Sequence, residues 1–249
     1  MARGITNWLR GKRAAPSVPP DCRVYAVGDI HGRSDLLDRM VRLIRRDAAA
    51  CSEKPILVFL GDYVDRGKDS KGVIVQLIDL QREFAAQLLR GNHDQVLLDF
   101  LRDPNTYRMW RDFGAVETLL SYGVRPPLSD EDGDLKDARD RFARALPAKH
   151  RAFLEALTFS WEIGDYFFSH AGVRPGTAFE EQRPADLMWI REEFLNSTVD
   201  FGKVVIHGHT PTETPVKKLN RIGVDTGAYA TGRLTAAVLT GADCRFLET

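Results

Sequence analysis

Residues 56–67 read Ile56-Leu57-Val58-Phe59-Leu60-Gly61-Asp62-Tyr63-Val64-Asp65-Arg66-Gly67. A short, continuous apolar run that stops at Gly-Asp has the pattern of a strand buried on both faces and ended by a turn. The same grammar recurs on either side. Arg23-Val24-Tyr25-Ala26-Val27 reads as a strand ending at Gly28-Asp29-Ile30-His31-Gly32. Residues 85–89 read as a third strand, ending at Arg90-Gly91-Asn92-His93-Asp94. Between these runs, residues 34–50 carry Leu36, Leu37, Met40, Val41, Leu43 and Ile44 at helical spacing, with Ser34 as the expected N-cap. Residues 71–82 carry Val73, Ile74, Leu77 and Ile78 in the same way. Strand, helix, strand, helix, strand predicts an α/β chain with parallel βαβ units. Asp29 and Asp62 are 33 residues apart and Asp62 and Asn92 are 30 apart, each a βαβ-sized step. Ligands of such sheets bind beyond the carboxyl ends of the strands. Asp29, His31, Asp62, Asn92 and His93 are therefore expected on one rim.

Working outward, residues 94–157 read as a helical insertion. It is highly charged over 126–150, where His150 is expected at the surface of a solvated helix; a cap that screens substrates is the alternative. After residue 158 the pattern turns to strands. Residues 158–163 and 166–169 flank Gly164-Asp165, a hairpin turn, and 204–206 and 234–239 are further strands. Two more polar clusters fall at strand ends: Ser169-His170-Ala171-Gly172 and His207-Gly208-His209-Thr210. The expected organisation is a flexible tail over 1–20 and a single domain over 21–249 carrying the insertion. The tail holds Arg3, Arg10, Lys12 and Arg13 and no acid. A short basic helix around Ile5, Trp8 and Leu9 that touches a membrane or a partner is its alternative reading.

Composition narrows the class. The 249 residues hold 35 Lys plus Arg and 35 Asp plus Glu, a formal net charge of zero, which argues against a protein that coats nucleic acid or anionic lipid. No apolar run is long enough for a membrane span, and no secretory signal pattern follows the basic start. Cys22, Cys51 and Cys244 are far apart and form no CxxC pair. A thiolate zinc site is excluded and a reducing, cytoplasmic compartment is favoured.

Five of the six histidines lie in the five polar clusters. Carboxylate, amide oxygen and imidazole without thiolate suit manganese, iron or zinc. Asp29 and His31, two apart in an extended segment, would point the same way and grip one metal. Asp62 has two oxygens and can bridge to a second, with Asn92, His170 and His209 offering further ligands. Two divalent ions, most simply Mn2+, would clamp an in-line displacement at phosphorus, with a hydroxide held between them as nucleophile. Arg66 and Arg90 flank the clusters as phosphate-binding guanidinium groups. His93 is placed to protonate the leaving oxygen, with Asp65 as its orienting partner.

Gly-Asp-x-His-Gly, Gly-Asp-x-Val-Asp-Arg-Gly and Arg-Gly-Asn-His-Asp together resemble the signature of the phosphoprotein phosphatase branch of the dinuclear metallophosphoesterases, in the style of bacterial serine/threonine protein phosphatases. The resemblance spans roughly residues 23–240. It implies the calcineurin-like fold, two central mixed β-sheets flanked by helices. It also implies Asp29, His31 and Asp62 on one metal, and Asp62, Asn92, His170 and His209 on the other. His93 with Asp65 matches the general acid and its partner, and Arg66 with Arg90 the phosphate clamp. A further arginine is expected from the later half; Arg191 is the choice, with Arg174 in reserve. Asp94 stands where Glu is more common, and either serves as a helix N-terminal acid. The activity implied is removal of phosphate from phosphoserine or phosphothreonine in proteins, with phosphotyrosine as a further target. A symmetrical diadenosine tetraphosphate hydrolase is the alternative, since 66–70 and Asp225-Thr226-Gly227-Ala228 have similar forms there. A non-catalytic phosphate-binding module is the outside alternative, and it predicts a lost ligand where none is lost.

Overall fold

The computed structural model describes residues 15–249. The basic residues and the Ile5–Leu9 segment assigned above to a tail lie outside that range.

The alternation read from the first hundred residues forms as expected. Strand β1 (Cys22–Val27) is followed by α1 (Ser34–Ala49), β2 (Lys54–Phe59), α2 (Ser70–Glu83), β3 (Ala85–Leu88) and α3 (Asn92–Arg102). β1 pairs parallel with β2, and β2 with β3. Four more helices complete the insertion: α4 (Tyr107–Trp110), α5 (Ala115–Ser121), α6 (Asp132–Ala145) and α7 (Ala148–Glu155). The antiparallel hairpin of β4 (Ser160–Ile163) and β5 (Tyr166–Ser169) turns at Gly164-Asp165. Helices α8 (Pro184–Trp189) and α9 (Glu192–Leu195) lead to β6 (Val204–His207), β7 (Val216–Lys217) and β8 (Arg221–Gly223). The short α10 (Ala228–Thr231), then β9 (Thr235–Thr240) and β10 (Asp243–Glu248), end the chain.

Both sheets have five strands and both are mixed, in the orders β10-β9-β1-β2-β3 and β4-β5-β6-β8-β7. The pleat explains why the central strands are apolar throughout. Val24, Ala26, Val58 and Leu60 meet Tyr166, Phe168, Val204 and Ile206 between the sheets. Their neighbours Tyr25, Val27, Leu57 and Phe59 face the helices. Each Val, Leu, Ile or Phe among them contributes about 1.5–3 kcal/mol when fully buried. On the outer face of the second sheet Phe167 and Val205 pack with Leu187 and Phe194.

Three local expectations change. Helix α1 starts at Ser34 rather than being capped by it, and the Ser34 hydroxyl donates to Asp69 Oδ2 at 2.6 Å. Packed structure begins before Asp21: Val18 is buried between the sheets, its N–H donates to the Gly241 carbonyl at 2.9 Å, and Ser17 exchanges hydrogen bonds with Asp165. His150 is buried, not on the surface. Helix α7 turns His150, Phe153 and Leu154 inward, and Tyr122 Oη lies 2.9 Å from His150 Nδ1. Among the described residues no helix is long and apolar enough to cross a membrane.

Candidate metal centre

The strand-end segments converge on one rim, and the backbone there is forced. Among the described residues, the non-glycine positions with positive φ are His31 (46°), Asp62 (53°), Asp65 (73°), Arg66 (65°) and His209 (65°). All five were singled out from sequence as site residues. Such conformations disfavour L side chains and survive only where the surroundings fix them. Close approach requires glycine at two places. A Cβ on Gly91 would meet Asp62 Oδ1 at 2.0 Å, and one on Gly208 would meet Asp29 Oδ1 at 2.0 Å. Asp94 joins two of the turns, accepting from the N–H groups of Gly91 (3.0 Å), Asp62 (2.9 Å) and Tyr63 (3.0 Å). It is the helix N-terminal acid the sequence suggested, opening α3 beneath the rim.

Asp62 stands at the centre. One set of buried donors is His31, Asp62 and His93; a second is Asp62, His170 and His209, each within 4.8 Å. Asn92 Oδ1 lies 3.0 Å from His170 Nε2, beside the second set. His31 Nδ1 lies 2.9 Å from the Val64 carbonyl, and His170 Nδ1 lies 2.9 Å from that of Leu60. A carbonyl only accepts, so both rings carry their proton on Nδ1 and present the Nε2 lone pair inward. Both Nε2 atoms stand 3.5 Å from Asp62 Oδ2, lone pair against carboxylate. His170 Nε2 also faces His209 Nδ1 at 3.2 Å, and His209 Nε2 is buried without a partner. Burial keeps the rings neutral, pulling His31 down to about 3 and His170 and His209 below the ordinary imidazole value. Burial alone would raise Asp62; its pKa is held below the usual carboxylate range to the extent that the imidazoles around it carry charge, and His93 is the one whose surroundings favour the charged form. Converging acceptors with no proton between them are what a divalent cation needs, and the donor types fit one.

Asp29 falls outside both donor sets, and the positive φ at His31 means that the two residues do not share a regular extended segment. Both Asp29 oxygens approach the His209 N–H, at 3.1 and 3.2 Å. Burial, then the charges of Asp225 and Asp62, push Asp29 well above the usual carboxylate range. Asp225 is raised to about 6, chiefly by burial. Asp225 also accepts from the Gly227 N–H at 2.8 Å, closing the turn before α10.

His93 and Asp65 form the predicted pair, Nδ1 to Oδ2 at 2.7 Å, both buried. Burial opposes the imidazolium, but Asp62 and the bond to Asp65 outweigh it and raise His93 above its ordinary value. Arg66 Nη2 is 3.3 Å from His93 Nε2, and its guanidinium lies over the Tyr229 ring at 4.5 Å. Arg191 reaches Thr210 Oγ1 at 3.2 Å, beside His209. Arg90 is engaged elsewhere: its guanidinium bonds Gln95 and the carbonyls of Leu154 and Glu155, and faces the Phe159 ring. Arg174 is tied to Asp186 and Glu193. His207 is buried, its ring centroid 5.0 Å from that of Phe194. Sequence reading missed Trp110 and Thr118. Trp110 Nε1–H donates to Asp65 Oδ2 at 2.8 Å, and the Thr118 hydroxyl donates to Oδ1 at 2.7 Å. No local pattern marks them, since they lie 45 and 53 residues beyond Asp65.

The sequence profile of the calcineurin-like phosphoesterases matches residues 22–237. The chain belongs to that family and is a metallophosphoesterase. Serine/threonine-protein phosphatase 1 of Salmonella typhimurium is 30% identical over 230 residues, covering 86% of this chain and 90% of the relative. That bears out the resemblance to the phosphoprotein phosphatases. A symmetrical bis(5'-nucleosyl)-tetraphosphatase of Methylococcus capsulatus is 32% identical over 157 residues, 61% of this chain and 44% of that protein. The crystal structure of a protein assigned provisionally as a diadenosine tetraphosphatase shares the fold, with a TM-score of 0.64 at 23% identity over 94% of this chain and 98% of that one.

Proposed function

We propose that the protein is a dinuclear-metal phosphomonoesterase that removes phosphate from phosphoserine and phosphothreonine in proteins, with phosphotyrosine as a secondary substrate. The observation that carries the reading is Asp62, which lies within reach of two groups of buried ligand atoms and faces the Nε2 lone pairs of His31 and His170. Asp29, His31 and Asp62 would hold one divalent ion, and Asp62, Asn92, His170 and His209 the other, with Mn2+ suited to oxygen and imidazole donors. Bound there, the ions supply a water nucleophile at neutral pH and neutralise charge on the phosphoryl oxygens. Arg66 and Arg191 orient the phosphoryl group from its other side. Arg90 joins them only by giving up its bonds to Gln95 and the end of α7. His93, oriented by Asp65, gives its proton to the leaving oxygen.

The similarity to the Salmonella phosphatase over most of both chains favours phosphoprotein over dinucleotide. The test is a side-by-side assay of metal-stripped, manganese-reloaded protein on phosphoserine/phosphothreonine peptides, a phosphotyrosine peptide and diadenosine tetraphosphate. Higher kcat/KM on the first substrate is expected. Preferred cleavage of the nucleotide would replace the protein substrate with a dinucleotide and leave the centre as described.

A further inference from the structure

Resting on the reading of His93 as proton donor, we infer that residues 110–118 of the helical insertion are a positioning element for the reaction, with Trp110 and Thr118 fixing the Asp65 carboxylate that orients His93. The carboxylate receives three side-chain donors, from both sides. Thr118 Oγ1 donates to Oδ1 at 2.7 Å, while Trp110 Nε1 and His93 Nδ1 converge on Oδ2 at 2.8 and 2.7 Å. Asp65, Trp110 and Thr118 are fully buried. The backbone is gripped as well: the Asp65 N–H donates to Thr118 Oγ1 at 2.8 Å and to Ser70 Oγ at 3.1 Å. One residue on, the Arg66 N–H donates to the Gly114 carbonyl. These bonds hold two consecutive residues at positive φ, where Asp65 and Arg66 would not rest unaided. Phe113 closes the pocket, its ring 5.2 Å from that of His93. The insertion is thus more than a solvated outer layer.

The chemistry follows the bonds. As the phosphorus–oxygen bond breaks, the leaving oxygen takes its electron pair and a proton from His93 Nε2. The imidazole is left neutral, its Nδ1–H still on Asp65. A carboxylate free to rotate would let the ring swing, and the proton would miss the leaving oxygen.

The experiment uses the full-length, manganese-loaded enzyme with Trp110→Phe, which keeps the ring and removes the N–H, and Thr118→Val, which keeps the shape and removes the hydroxyl. Each is assayed on aryl phosphates with good and poor leaving groups, alone and combined with His93→Asn. Trp110→Phe should lower kcat roughly tenfold on the poor leaving group, a part of what a general acid supplies, with little change in KM or on the good one. On the His93→Asn background it should have no further effect. A uniform loss on both substrates, or an additive loss on that background, would reduce Trp110 to a structural residue. If His93→Asn itself shows no leaving-group dependence, the proton-donor reading fails, a result distinct from failure of Trp110 alone. Should either variant unfold, the other and the Phe113→Leu variant are read by the same ratio.

Discussion

At the scale of single residues, the centre without metal is an unfavourable arrangement held in place by everything around it. Asp62 is an ionised carboxylate buried among imidazole lone pairs, and Asp29 and Asp225 are two carboxyl groups pressed together. Burying charge without compensation destabilises a fold. Metal binding relieves this, so each bound ion should raise stability by about 2.7 kcal/mol at a hundredfold excess over its dissociation constant. Asp62→Asn separates the two effects. Without metal the variant should melt at or above the wild-type temperature, because a neutral amide replaces the buried charge. With Mn2+ only the wild type should gain stability. Turnover should fall by more than about 100-fold, beyond the loss produced by removing an outer partner of a ligand. Thermal melts with and without Mn2+, beside kcat/KM, check both halves. Equal stabilisation of the two proteins by Mn2+ would remove Asp62 from the centre.

At the scale of elements, the three βα ends were legible because their chemistry is local. Gly-Asp-x-His-Gly is at once a strand end, a turn and a ligand pair, and its repeat at βαβ spacing fixes where the copies meet. The insertion was not legible in the same way. Its helices are short and highly charged, and which residues face inward depends on what they pack against. Hence His150, read as a surface residue, is buried against Tyr122, and Trp110 and Thr118 reach Asp65 across long stretches of chain. The His150 burial has a measurable sign. Burial, then the charges of Lys71 and Lys149, depresses its pKa below the ordinary histidine value. A depressed histidine contributes stability that is fully present above its unfolded pKa, near 6.5. That contribution is lost as the pH falls toward the folded value, where proton uptake favours the unfolded chain. His150→Phe keeps a ring in the site and removes the titration. Its melting temperature should therefore fall less steeply than the wild type's between about pH 6.5 and 5. Parallel curves over that window would show that His150 takes up its proton without strain.

At the scale of the whole molecule, activity and stability are anchored at opposite ends of the two sheets. The rim lies beyond the carboxyl ends of β1, β2, β5 and β6. At the other end, residues 16–18 strap the sheets together. Ser17 exchanges bonds with Asp165 in the β4–β5 turn, Val18 donates to Gly241 in the β9–β10 turn, and the Tyr166 hydroxyl donates to the Pro16 carbonyl. Gly164 allows the approach, since a Cβ there would meet the Ser17 carbonyl oxygen at 2.3 Å. The Val18 side chain, 3% exposed, plugs the seam between the sheets. Val18→Ala removes two methyl groups from that seam and should cost about 1.5–2.5 kcal/mol. For a chain of this length that is a fall of roughly 5 °C in melting temperature. Because the strap is remote from the rim, kcat and KM at 25 °C should stay at wild-type values. A melting temperature within about 1 °C of wild type would mean the sheets hold without the strap. A loss of kcat in a folded variant would mean the geometry of the rim depends on how the far ends of the two sheets are pinned.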